Sequence, residues 1–434
     1  MKKTTASLLS ALALVTISVN VQAENLKQIY DLALENDPQF RAAKATLDAA
    51  YESVKITRGD FLPNIDANAS YSDTSSDSSN GTTTTTSEGA TTSYSVSLTQ
   101  PLYRSNINVN HSRSKNFVQQ ADADYQSAQQ DLIVRVATQY FRVLGAMDNL
   151  EFSKAELNAN SRQLEQTKQR FEVGLVAITD VHEAQARYDL SVSQLISAEN
   201  LLNNEQESLR AITGKYHQSL SQLQEETPLV PPEPNEIEHW TKLALDQNSL
   251  LISSQFLVEQ ARDSVDLQRA GHKPTLDFRA SYNHNDSDSF GETDSTTYSV
   301  NFGMNLFAGG STSAYVRQAE FNLTQALETL EEVRRTTQRN ARNAFLGVGS
   351  AISQVKALKQ AVISSESRLK ASEAGFDVGT RTTVDVLDAR RELFNSQRQY
   401  ARSRYDYILQ KLQLEQASGM LDVEDINMVN GWLQ

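Results

Sequence analysis

Phe171-Glu172-Val173-Gly174-Leu175 in the first half of the chain is answered by Phe376-Asp377-Val378-Gly379-Thr380 in the second. Each stretch breaks a long proline-free block at a glycine. Each is followed by a helix-starting pair of side chains, Thr179-Asp180 and Thr383-Val384-Asp385. The pattern predicts a helix that runs to the glycine, turns, and comes back. Because it occurs twice, it predicts one helical hairpin in each half.

Working outward from the two tips, the rest of the chain repeats in the same order. Leu32-Ala33-Leu34 returns as Leu243-Ala244-Leu245, and Thr92-Ser93-Tyr94-Ser95-Val96 as Thr296-Thr297-Tyr298-Ser299-Val300. Pro228, Pro231, Pro232 and Pro234 mark the junction, an extended linker over 214–236. Proline is absent between Ser105 and Thr213 and between Gly309 and Ser418. Long helices are therefore allowed there, since an interior proline breaks a helix. In the first block Ala121, Tyr125, Ala128, Leu132, Val136, Tyr140, Val143, Met147 and Leu150 follow steps of three and four. That stripe is too long for an ordinary globular helix and is alanine-rich, as coiled-coil packing with close backbones requires. The predicted helices are Ser105–Glu172 returning as Asp180–Thr213, and Thr312–Asp377 returning as Val384–Ser418. The first would be ~100 Å long at 1.5 Å per residue.

Ahead of each hairpin lies a pair of alternating segments, within 62–103 and 274–306. Ile65, Ala67, Ala69 and Tyr71 share one face, as do Tyr94, Val96 and Leu98, then Leu276, Phe278, Ala280 and Tyr282, and finally Tyr298, Val300, Phe302, Met304 and Leu306. Segments of about ten residues fit tilted strands that cross a bilayer. The Ser-, Thr- and Asp-rich runs 72–92 and 283–296 read as long exposed loops. Tyr71, Tyr94, Tyr282 and Tyr298 sit near the loop ends, as an aromatic girdle would. A soluble sandwich with one wet face has the same alternation, but the adjoining helices are too long for a compact domain. Four strands cannot close a barrel, and open edges are not tolerated in lipid. Several chains must then each supply four strands: three chains give twelve, two give eight. Eight strands leave an interior filled by side chains, so a channel favours three or more.

Composition narrows the classes further. The 434 residues include no cysteine, which excludes disulfides, thiolate metal sites and a lipidated N-terminal cysteine. The net charge of -14 argues against nucleic acid as a partner. Lys2 and Lys3, an apolar run from Leu8 to Val19 and Val21-Gln22-Ala23 read as a signal peptide over 1–23. His111, His182, His217, His239, His272 and His284 are scattered without metal-ligand spacing, and no G-x-S-x-G, P-loop or H-E-x-x-H is present. No enzyme, structural metal or cofactor is expected. Gly347-Val348-Gly349 falls inside a helical pattern and reads as close packing.

Arg170 through Val181 and Val378 through Ala389 closely resemble the TolC family of outer-membrane efflux proteins, and the resemblance covers essentially the whole mature chain. It implies a mixed α and β membrane protein. A trimeric 12-stranded transmembrane β-barrel would continue into a periplasmic α-helical barrel of twelve helices, with an equatorial belt near the linker and residues 419–434. It implies an exit duct for efflux and type I secretion, a homotrimer in outer-membrane lipid that docks a periplasmic adaptor and, through it, an inner-membrane pump or ABC exporter. Asp385 and Asp388, three apart on one helix face, would form cation-attracting carboxylate rings at the entrance. Arg381 would link to Thr179 and Asp180 of a neighbouring chain as a gate. Phe376 stands where a hydrogen-bonding tyrosine is common, which removes that bond. Val173, Gly174, Leu175, Val378, Gly379 and Thr380 would meet the adaptor. Two other classes share some of these features. A trimeric coiled-coil adhesin would place its barrel strands together at one end of the chain, whereas here they form two separated pairs. A periplasmic adaptor would lack bilayer-length strands.

Overall fold

The computed structural model describes residues 23–217, 219–289 and 291–434. The expected signal peptide falls almost wholly outside them. The elements run α1 (Leu26–Asn36), α2 (Pro38–Gly59), β1 (Asn64–Ser79), β2 (Thr84–Arg104), α3 (Ser105–Glu172) and α4 (Ile178–Thr213). The same series follows as α5 (Ile237–Gln247), α6 (Ser249–Ala270), β3 (Thr275–Ser287), β4 (Gly291–Gly303), α7 (Ser311–Asp377) and α8 (Thr383–Ser418), with α9 (Val423–Asn430) appended. No described helix is long and apolar enough to cross a membrane.

The helix expected ahead of each strand pair is split in two. Pro38 lacks an N–H to continue α1. Asp37 instead caps α2, accepting from the Phe40 N–H at 2.7 Å, and both its oxygens take the Arg135 guanidinium of α3. Asn248 makes the matching break, accepting from the Leu251 N–H at 3.2 Å.

The four strands form one antiparallel sheet in the order β1-β2-β3-β4, so β1 and β4 are its free edges. The first pair corrects the sequence reading. Strand pairing continues from Asn64↔Thr99 out to Ser79↔Thr84. Most of the expected loop 72–92 is therefore ladder, and β1 and β2 reach 16 and 21 residues. The 283–296 run likewise stays paired to Ser287↔Gly291. Threonine-rich strands pair well without an apolar face, so the apolar alternation ends before the ladder does. The register puts Ala69 opposite Tyr94, Phe278 opposite Val300 and Ala280 opposite Tyr298. The apolar residues of all four strands thus share one face.

The large core lies midway along the helices. Leu132, Ile133, Val136, Tyr140, Phe141 and Leu144 of α3 pack with Leu26, Ile29 and Tyr30 of α1, Tyr407, Ile408 and Leu412 of α8, and Ile426 and Val429 of α9. The linker is fastened to this core: buried Tyr140 donates to the Ser221 carbonyl at 2.7 Å, and Tyr407 Oη accepts from the Val230 N–H at 2.9 Å.

Candidate functional site at the hairpin tips

Each long helix ends the same way. The N–H of Leu175 reaches back to the Arg170 carbonyl at 2.8 Å and that of Gly174 to Phe171 at 2.9 Å. In the second tip Thr380 bonds Gly375 at 2.8 Å and Gly379 bonds Phe376 at 3.1 Å. This 6→1 and 5→2 pair is a Schellman motif, and it needs a left-handed residue at the turn. Gly174 (φ +76) and Gly379 (φ +74) supply it. A Cβ added to either would meet no heavy atom within 4 Å. The demand at both positions is conformational, and the space above them is open.

That space is lined by apolar side chains facing solvent. Val173, Leu175 and Val378 are 70%, 73% and 74% exposed, with Ile178 and Val384 partly so. A cluster of exposed aliphatics at the end of a long polar hairpin marks a contact surface.

The two returning helices start differently. In α8, Thr382 Oγ1 accepts from the Asp385 N–H at 3.2 Å, while Asp385 Oδ2 accepts the Thr382 N–H and hydroxyl, both at 2.9 Å. This capping box is complete. The donors from Thr382 hold the Asp385 carboxyl below the usual carboxylate range. In α4 the cap is Ala177, which has no side-chain acceptor. Only the return bond exists, from the Ala177 N–H to Asp180 Oδ2 at 3.1 Å.

The predicted residues separate into three groups. Arg381 lies 3.8 Å from Asp385 and makes no bond to Thr179 or Asp180 within the chain, among the described residues. Phe376 is covered by Arg170 of α3, whose guanidinium carbon stands 4.5 Å from the ring centroid and which pairs with Asp377 at 3.5 Å. Asp388, unlike Asp385, is tied to another helix: Arg187 of α4 holds it at 3.1 Å, with Arg391 of its own helix at 3.4 Å.

Sequence reasoning missed the arginines that tie the hairpins. Besides Arg170 and Arg187, Arg390 bridges to Glu373 at 3.0 Å and Arg398 to buried Glu156 of α3 at 3.0 Å. Their partners lie on other helices, so helix spacing carries no sign of them. The dismissal of the histidines also needs amending, since the β3–β4 ladder gathers His284, Glu292 and Asp294 to within 4.8 Å of one another.

The comparisons agree with this architecture. The model of the family described as outer membrane efflux protein matches twice, over residues 29–215 and 240–420, in step with the internal repeat. The outer membrane protein TolC of Vibrio cholerae is 41% identical, with 100% of this chain and 99% of that protein covered. The alkaline protease secretion protein AprF of Pseudomonas aeruginosa is 29% identical, covering 92% of this chain and 85% of the relative. Among solved structures, the Campylobacter jejuni CmeC outer membrane channel superimposes with a TM-score of 0.80 at 19% identity, covering 95% of this chain and 91% of that one.

Proposed function

This chain belongs to the outer membrane efflux protein family, and from that premise we propose that three copies close their sheets into one twelve-stranded barrel above a shared helical tunnel. The protein resides in the outer membrane, where it serves as the exit duct for efflux pumps and type I secretion.

The observation that carries the barrel reading is the pair of unsatisfied sheet edges. β1 and β4 each present a full row of unpaired backbone groups, on a sheet whose one face bears Ile65, Tyr94, Val300 and Phe302, all exposed. In lipid an open edge is ruled out by the desolvation of each unpaired N–H and C=O. Joining β4 of one copy to β1 of the next satisfies both edges, and four strands per chain need three copies to enclose a channel wider than packed side chains. The helices agree with this assembly. α7 leaves Tyr315, Phe321, Leu346 and Ile363 exposed, a neighbour's packing surface in the closed tunnel.

At the tips, Val173, Gly174 and Leu175 with Val378, Gly379 and Thr380 form the docking surface for a periplasmic adaptor, which links the duct to an inner-membrane pump or ABC exporter. Three copies of Asp385 and Asp388 ring the entrance as a cation-selective constriction. Arg381 holds the inner hairpins closed by reaching Thr179 and Asp180 of the next copy. Support comes from the strong exposure of these tips and from the absence, among the described residues, of an intrachain bond from Arg381 to that pair. An adhesin is disfavoured because its strands would not be interleaved with two helical hairpins.

Reconstitution of the purified protein in planar bilayers tests the reading. A heat-modifiable trimer from outer-membrane fractions should give discrete cation-selective conductance steps. A soluble monomer with no conductance would overturn it.

A further inference from the structure

Among the described residues, one gathering of metal-binding side chains lies on the β3–β4 ladder. His284 stands directly across from Asp294, and Asp286 directly across from Glu292. These residues share a face with Ala280, Tyr282, Val300 and Tyr298, the row read as lipid-facing. They lie one and two steps beyond the aromatic girdle, on the side away from the helices.

The hydrogen bonds decide the tautomer of His284. Its Nδ1 lies 2.9 Å from Asp294 Oδ1. A carboxylate can only accept, so Nδ1 carries the proton and donates. The same oxygen accepts from Tyr282 Oη at 2.7 Å, which locks the carboxylate in turn. Tyr94 of β2 stacks on the imidazole at 6.0 Å between centroids. The ring is therefore held from two sides, and in the neutral imidazole its Nε2 carries the lone pair. That atom faces Glu292 Oε1 at 3.8 Å, beyond hydrogen-bond reach. Two ligands on one tetrahedral zinc stand ~3.4 Å apart for bond lengths of about 2.1 Å. Glu292 is 70% exposed and closes the difference by a rotamer change. A metal-binding histidine whose other N–H is fixed by a carboxylate is the arrangement that orients such ligands in metalloproteins.

We propose that His284 Nε2 and Glu292 bind a divalent cation of the zinc class in each chain, with Asp294 as the positioning residue and the remaining coordination positions open to water. An imidazole ligand favours zinc, nickel or copper over magnesium and calcium. The site needs only the β3–β4 ladder. Its level, on the outward face at the outer headgroup boundary, rests on the barrel reading above. The first repeat has no counterpart: the corresponding opposed pair there is Asp73 and Ala90.

Tag-free trimer in detergent, titrated calorimetrically with zinc chloride at neutral pH, tests this. One saturable equivalent per chain is expected, with no comparable binding of magnesium chloride. His284→Ala should abolish it. Asp294→Asn, which keeps the shape but loosens the ring, should weaken it by about 10- to 100-fold. Zinc binding by His284→Ala equal to that of the unaltered protein, or no saturable zinc binding by the unaltered protein, would overturn the proposal. Conductance of the same preparations confirms that each variant is folded. Conductance without zinc binding sinks the site alone, and zinc binding without conductance sinks only the channel reading.

Discussion

The two helical hairpins have nearly the same length and the same Schellman tips, yet they are held in different ways. α3 buries Leu132, Ile133, Tyr140, Phe141 and Leu144 against α1, α8 and α9, while α7 buries nothing larger than Val348 and Val355. At the tips, α8 opens with a complete capping box and an arginine 3.8 Å from Asp385, α4 with an alanine and half a box. The first hairpin is a built wall of its own chain. The second leaves Tyr315, Phe321, Leu346 and Ile363 of α7 exposed, while its α8 enters the core with Tyr407, Ile408 and Leu412. A fold that repeats can thus bury one long helix and leave its counterpart exposed without changing the backbone.

The strongest break of this asymmetry is at the turns. Gly379→Trp forces a left-handed φ on a bulky residue, which costs roughly 1–2 kcal/mol locally. It also fills the open space above the tip. Drug resistance should be lost while the heat-modifiable trimer persists on gels. Next comes the latch. Arg381→Ser should raise single-channel conductance several-fold, because among the described residues Arg381 is paired only with nearby Asp385 and not with another helix. Unchanged conductance would move the latch elsewhere.

Cation block sharpens the contrast between the two aspartates. Asp385→Ala/Asp388→Ala should abolish block by trivalent cations. Asp385→Ala alone should remove most of it, since Asp388 is already compensated by Arg187 and Arg391. Equal effects of the two single substitutions would show that those ion pairs open in the trimer. The depressed pKa of Asp385 carries a sign: its box with Thr382 contributes stability above the ordinary carboxylate value of 3.8, lost as pH falls through the lower folded value.

A smaller effect is expected at Phe376. Arg170→Ala removes a solvent-exposed cation–π contact of about 0.5–1 kcal/mol and should raise conductance less than Arg381→Ser. The smallest concerns the junction of α8 with α9, a helix that also packs against α1. Burial, reinforced by Asp425, pushes the Glu415 carboxyl up to about 7. An acid raised in the folded state favours folding while protonated. Native stability should therefore fall as pH rises from about 4.5 to about 7. Glu415→Gln should flatten that slope in thermal unfolding scans.

Much of this was legible beforehand. Proline-free blocks and the two Val-Gly turns located four long helices to within two residues at each end, because helix termination is a local act of one glycine or one cap. The apolar side of the strands was legible from period two. Their length was not, since Ser79↔Thr84 pairs without any apolar signal. The split at Asp37–Pro38 was missed although both residues are strong local signals, the repeat having been read as one element.

What the sequence determined by itself is whatever depends on neighbours a few residues away: the repeat, the hairpins, the alternating faces, the glycines at the turns. Tertiary structure alone decided which charges meet. Arg187 reaches Asp388, Arg398 reaches Glu156, and His284 finds Asp294 and Glu292. Periodicity specifies which way a side chain points. Only the packing of one element on another specifies what stands a few ångströms beyond it, and at that range electrostatic and hydrogen-bond energies are decided.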